Sequence, residues 1–177
     1  MSTQNLEELK YPIGKFEKPD VVSPQQIKNA IEEIAELPIQ IEAALEGLSN
    51  RQLDTPYRPE GWTIRQVVHH IPDSHMNAYV RFKLALTEEN PTIRPYFEDR
   101  WANLKDTTLT PVNVSVQLLK ALHQRWVILL RSMNNEDSQR TFFHPEKGSS
   151  LTLAEVVLIY AWHGKHHLGH ILLVKNQ

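Results

Sequence analysis

Apolar residues recur at three- and four-residue spacing in four stretches of the chain, and polar, proline-marked segments separate them. In the first stretch Ile27, Ala30, Ile31, Ile34, Ile41, Ala44, Leu45 and Leu48 keep helical phase. Ser23-Pro24 sets its start, a capping side chain followed by a residue tolerated in the first turn. Pro38 is expected to kink or split this helix, because it removes one backbone hydrogen bond and clashes with the preceding turn. Residues 1–22, with Pro12, Gly14 and Pro19 among isolated apolar positions, read as an irregular arm packed on the body through Tyr11 and Phe16.

After a connection from Asp54 to Trp62, Thr63 and Gln66 form a capping box. Ile64, Val67, Val68, Ile71, Ala78, Tyr79, Phe82 and Leu86 then continue one apolar face, with Pro72 expected to bend or restart the helix. Residues 88–110 have loop composition, and a loop of that length in a compact domain is often functional. Pro111 opens a third segment carrying Leu118, Leu119, Leu122, Trp126, Leu129, Leu130 and Met133. Residues 134–150 read as polar connection, and Thr152 with Glu155 caps a last helix through Val156, Val157, Tyr160, Leu168, Ile171 and Val174. Four amphipathic helices predict an all-α four-helix bundle of up-down type, residues 23–177 forming a single domain behind the arm.

Composition narrows the chemistry. The 177 residues are 41% apolar, enough for one core of ordinary size. Nineteen basic against 21 acidic residues give a net charge of −2 and no basic block, which argues against nucleic acid or an anionic membrane as partner. There is no cysteine, so disulfides, thiolate metal sites and a protein thiol nucleophile are excluded. The start lacks the charged and apolar regions of a secretory signal and no apolar run reaches 18 residues, so a cytoplasmic protein is expected. No glycine-rich phosphate cradle and no nucleophile elbow occur.

The nine histidines change the picture most. Seven fall in two clusters: His69, His70 and His75 on the second helix, and His163, His166, His167 and His170 on the fourth. Two imidazoles four residues apart on a helix project from one face and can share an ion, with a third ligand from another segment. Turning about 100° per residue places His163 and His167 inside the apolar stripe of the last helix and puts His166 and His170 towards its edge. On the second helix His75 lies nearest the middle of the apolar face, His70 near one flank and His69 on the far side. Because Pro72 makes a straight wheel unreliable there, His70 and His75 both stay open as the third ligand. The motif is not that of a zincin, since Gly164 and Lys165 follow His163 and leave no glutamate base.

Weaker candidates surround this core. Trp62, Trp126 and Trp162 sit where core anchors belong, Glu98, Asp99 and Arg100 read as a solvated loop face, and Asp73 stands where a carboxylate could orient a neighbouring ligand.

The fragments Thr55-Pro-Tyr-Arg-Pro, Gly61-Trp-Thr, Arg65-Gln-Val-Val-His-His70, Asp73-Ser-His-Met-Asn-Ala-Tyr-Val-Arg-Phe-Lys83, Ala121-Leu-His-Gln-Arg-Trp126 and Ala161-Trp-His-Gly-Lys-His-His-Leu-Gly-His-Ile171 together resemble the DinB/YfiT superfamily, within it the YfiT group of metal-dependent hydrolases. The resemblance covers most of the chain after about residue 20. It implies a four-helix bundle, a homodimer and a three-histidine site made of His70, His163 and His167, so that His70 replaces His75 as the third ligand. Where family members often carry Leu-Ala after the histidine pair, this chain has Ile71-Pro72. Three neutral imidazoles leave a divalent ion, Zn2+ by default and Ni2+ also suited, with its full charge and open positions for water and a small-molecule substrate. The expected activity is hydrolysis. The alternatives are thiol S-transfer with a low-molecular-weight thiol, which the resemblance also covers, and a non-enzymatic metal- or small-ligand-binding module.

Overall fold

The chain was analysed as a computed structural model that describes residues 6–176. In order it forms α1 (Leu6–Lys10), α2 (Pro24–Leu45), α3 (Asn50–Leu53), α4 (Ile64–Thr87), α5 (Glu98–Ala102), α6 (Lys105–Leu109), α7 (Val112–Ser132), α8 (Asn135–Gln139), β1 (Thr141–His144), β2 (Ser149–Thr152) and α9 (Leu153–Lys175). The four long helices are those the apolar spacing predicts. Ser23, Thr63 and Thr152 cap α2, α4 and α9 in full capping boxes with Gln26, Gln66 and Glu155, so the backbone N–H groups left over at each start are satisfied locally. Within the boundaries drawn from sequence, residues 88–110 contain α5 and α6, and residues 134–150 contain α8 and most of a two-stranded hairpin pairing Thr141 with Thr152. These one-turn helices and four-residue strands are too short to leave a periodicity.

Pro38 and Pro72 do not split their helices, for α2 and α4 each run through their proline unbroken. Both prolines are buried, so packing on neighbouring helices holds the chain helical where propensity alone would stop it.

The connectivity is more complex than alternation of neighbours. Glu32 pairs with Arg131 and Glu42 with Lys120, so α2 and α7 run antiparallel. His69 meets Ser115 and His75 meets His123, so α4 and α7 run parallel. Tyr160 lies on His75 and His167 on His70, which makes α9 antiparallel to α4, while Lys165 pairs with Glu33 and Lys175 reaches Ala43, which makes it parallel to α2. The sequence therefore runs up, down, down, up. Each of α2 and α4 packs on both α7 and α9, so these two successive long helices are diagonal across the bundle. The segment between α4 and α7 must return along the bundle, which accounts for its length.

Two apolar clusters fill the interior. One gathers Ile34, Phe82, Trp126, Phe142 and Val157, the other Leu37, Ile41, Ile64, Ile71, Leu119 and Ile171. On α4, α7 and α9 the residues between the two clusters are histidines: His75, His123 and the group from His163 to His170. The arm docks beside this layer, Tyr11 against His166 and Phe16 against Trp162, with Pro12 seated on Gly169. No helix among the described residues is long and apolar enough to cross a membrane.

Gly164, one residue after His163, sets how closely α9 approaches α2, because a Cβ there would run into the Leu37 side chain. Gly164→Val is expected to lower unfolding free energy by about 1–3 kcal/mol through overpacking, read as a lower urea midpoint at unchanged slope. An unchanged midpoint would mean that Leu37 yields without cost.

Candidate metal centre

Three imidazoles expected from the sequence to share an ion converge. His70 of α4 and His163 and His167 of α9 each offer a ring nitrogen, and these nitrogens lie within 4.8 Å of one another. His70 Nε2 faces His163 Nε2 at 3.3 Å, and ring centroids are 4.9 Å apart for His70 and His167 and 4.5 Å for His163 and His167. His70 and His167 are buried and His163 is partly exposed, so the group opens outwards on one side. The antiparallel seam of α4 and α9 makes this possible, because the i, i+4 pair of one helix presents a single face to one residue of the other.

Burial pushes these rings toward neutrality. Desolvation lowers His70 to about 4 and holds His163 and His167 well below the ordinary imidazole range, with the neighbouring imidazoles adding to the effect. Neutral imidazoles are the form that binds a cation, and an all-nitrogen donor set suits a borderline divalent ion. The residues present therefore fit the group that the sequence implies.

His75 is not among the three. It is fully buried, as its central position on the wheel requires, and its Nε2 lies 3.0 Å from His163 Nδ1. Its Nδ1 is 2.9 Å from His123 Nε2, and His123 Nδ1 donates to the Ile34 carbonyl at 2.7 Å. His123 escaped the sequence reading, although its spacing from Leu119 and Trp126 puts it on the inner stripe of α7. His69 turns to Ser115 at 2.7 Å, away from the site. His166 and His170, placed by the wheel towards the edge, are buried beneath the arm and the segment before α4, His170 stacked at 3.8 Å on Tyr57. They form with His167 a second group whose nitrogens lie within 4.8 Å.

The rim comes from the connecting segments. Trp62 sets its ring edge-on to His70 at 4.7 Å and donates through Nε1 to Asp99 Oδ1 at 3.1 Å. Trp62 thus braces a site residue as well as packing, and Asp99, read as solvated loop, is tied to that brace. Trp126 is the fully buried core anchor it was expected to be, while Trp162 is half-exposed and stacks on His166. Burial, with Asp106 nearby, raises the Asp73 carboxyl to about 6. The contacts that orient His163 and His167 come from other histidines rather than from Asp73.

Acid should unfold the metal-free protein early. His70, His123, His166 and His170 are held at about 4, against about 6.5 when unfolded. The unfolded chain binds protons first as pH falls, so stability is complete above about 6.5 and declines steadily towards 4. Melting temperatures of chelator-treated protein between pH 7.5 and 4.5 should fall through that window, and a flat profile would contradict the buried, neutral layer.

Comparison with known proteins agrees with this geometry. The chain matches the DinB superfamily over residues 34–171. A protein of Bacillus cereus (strain 03BB102) named "Putative metal-dependent hydrolase" is 51% identical over 172 residues, 97% of this chain and 98% of the relative. A protein of Bacillus thuringiensis subsp. konkukian carries that description, with the same identity and coverage. Among solved structures, YfiT from Bacillus subtilis, described as "a probable metal-dependent hydrolase with an unusual four-helix bundle topology", superposes with a TM-score of 0.93 at 44% identity, covering 96% of this chain and 97% of that one. The four-helix bundle is thus shared with the solved structure, and the chain belongs to the DinB superfamily.

Proposed function

We propose that this protein is a metal-dependent hydrolase of small molecules, with one divalent ion held by His70, His163 and His167. The observation that carries this reading is the convergence of three neutral, uncharged donors from two helices on a point open to one side. The relatives' names point the same way.

When bound, such an ion supplies Lewis acidity, polarising a substrate oxygen and bringing the ionisation of a water close to pH 7. The three neutral rings would leave its charge undiminished, which a carboxylate ligand would not. Trp62, held by Asp99, fixes the His70 ring and covers one flank. Tyr160, against His163 at 5.6 Å, walls the inner side and keeps water from the core behind it. The proposal takes Zn2+ as the ion because imidazole suits it, with Ni2+ the next choice. It also includes a cytoplasmic homodimer, the dimer checked by light scattering of the eluting species.

The test is elemental analysis of untagged protein beside His163→Ala. The wild type is expected to carry about one divalent ion per chain, and the variant to lose it while helical content by circular dichroism stays near native. Stoichiometric metal in the variant would refute the site. Turnover of ester, amide and phosphoester substrates, run with and without low-molecular-weight thiols, then separates hydrolysis from thiol transfer; holoprotein with no turnover in either arm would leave a binding module.

A further inference from the structure

A carbonyl accepts hydrogen bonds and cannot donate them, and from that one fact the protonation of a row of rings follows. His123 Nδ1 lies 2.7 Å from the Ile34 oxygen, so His123 carries its proton on Nδ1 and presents a bare Nε2. That bare nitrogen, 2.9 Å from His75 Nδ1, requires the His75 proton on Nδ1. His75 Nε2 is then bare in turn, and at 3.0 Å it takes the proton of His163 Nδ1. One proton on each ring satisfies every contact in the row, with none left over. The last nitrogen in the row, His163 Nε2, is left as a lone pair facing His70.

The origin of this order lies in α2. In an unbroken helix the carbonyl of Ile34 would accept from the N–H of residue 38, but residue 38 is proline and has none. The freed oxygen turns to His123 instead.

We propose that His75 and His123 are positioning residues: the carbonyl freed by Pro38 fixes the tautomer of His163 through them, so that Nε2 is presented to the ion before any ion arrives. The His167 side repeats the device. The Lys10 carbonyl, 3.2 Å from His170 Nε2, puts the His170 proton there, and the bare Nδ1 of His170 at 3.3 Å takes the proton of His167 Nδ1, freeing His167 Nε2. Two of the three ligands are thereby pre-set from backbone oxygens on different segments, the arm and α2. Partners of this kind, which hold a ligand ring by its other nitrogen, typically contribute 10–100-fold in metal affinity.

The proposal rests on the three-histidine reading, yet its main test does not need the ion. Chelator-treated protein labelled with 15N in histidine is examined by long-range 15N–1H correlation, which tells which nitrogen of each ring carries the proton. His123, His75, His163 and His167 are expected to be protonated on Nδ1 and His170 on Nε2. A proton on His163 Nε2 would overturn the proposal. Zinc affinity by chelator competition follows: His123→Leu should lose 10–100-fold and mix the His163 tautomers. His123→Gln, whose amide both donates to Ile34 and accepts from His75, should restore most of it.

Should His123→Leu fail to fold, Pro38→Ala decides, since it gives Ile34 its helical donor without touching a ring and should shift the His123 Nδ1–H resonance and weaken zinc. Wild-type tautomers and affinity in folded His123→Leu, or in Pro38→Ala, would overturn the row. His166 Nδ1 is buried without a hydrogen-bond partner among the described residues. Two zinc ions per chain, one lost in His166→Ala, would therefore assign His166, His167 and His170 to a second ion and overturn the His167 half. Wild-type protein that binds no zinc would defeat the three-histidine reading, while the metal-free spectra still judge the row of rings.

Discussion

An imidazole buried between apolar clusters must have its nitrogens satisfied, because an unmet polar group there costs on the order of 1–3 kcal/mol. This chain buries a whole layer of them, on three of its four long helices and at one level of the bundle. The layer is supported in two directions: inward by a row of rings that ends on a backbone oxygen, and outward by three nitrogens that face one another, one of their rings partly exposed. Everything else in the fold can be read as placing that layer. Gly164 lets α9 come close enough to α2, and the diagonal arrangement of α2 and α4 brings α9 and α7 each against both.

The same requirement accounts for a proline in α2, a helix that remains whole. A proline in a helix exposes a carbonyl one turn back, and in a wet environment water would take it. Ile34 lies in the apolar interior, so its oxygen needs a donor from the protein, and His123 of α7 supplies it. A feature that looks like a fault in the helix thus matches a need in the layer. Asp73, whose carboxyl burial makes a weaker acid, and the braced Trp62 belong to the outer side, where the connecting segments with α5 meet α4.

Much of this was legible in the sequence, and what was not failed for physical reasons. The four long helices, the capping boxes of α4 and α9 and the capping Ser23 of α2 follow from spacing and from nearby residues, both of which are local. The shared face of His163 and His167 follows as well, since a single uninterrupted helix keeps its phase, but the wheel put His170 at the edge where the structure buries it more deeply than either. His70 does not: Pro72 blurs the wheel, the apolar face favours His75, and only the resemblance selects His70. The wheel was nevertheless right that His75 is the most buried of its cluster; burial and a place among the three converging nitrogens are different properties, and here they fall on different rings. His123 stands alone on α7, so no cluster drew attention to it, and its partner is a backbone atom that no side-chain pattern records. The short helices α5, α6 and α8 and the hairpin are held by tertiary contacts and have too few residues to show a period.

His70 and His163 stand 93 positions apart along the polypeptide, with α5 to α8 and the hairpin strung between them. Until α9 has docked on α4 the three rings cannot converge, and closing so wide a loop is entropically slow. Before that docking α9 offers His163 and His167 on one face, and the third ring joins them only in the completed bundle. The meeting of the three rings is in this sense a certificate of finished folding, issued by the polypeptide to itself.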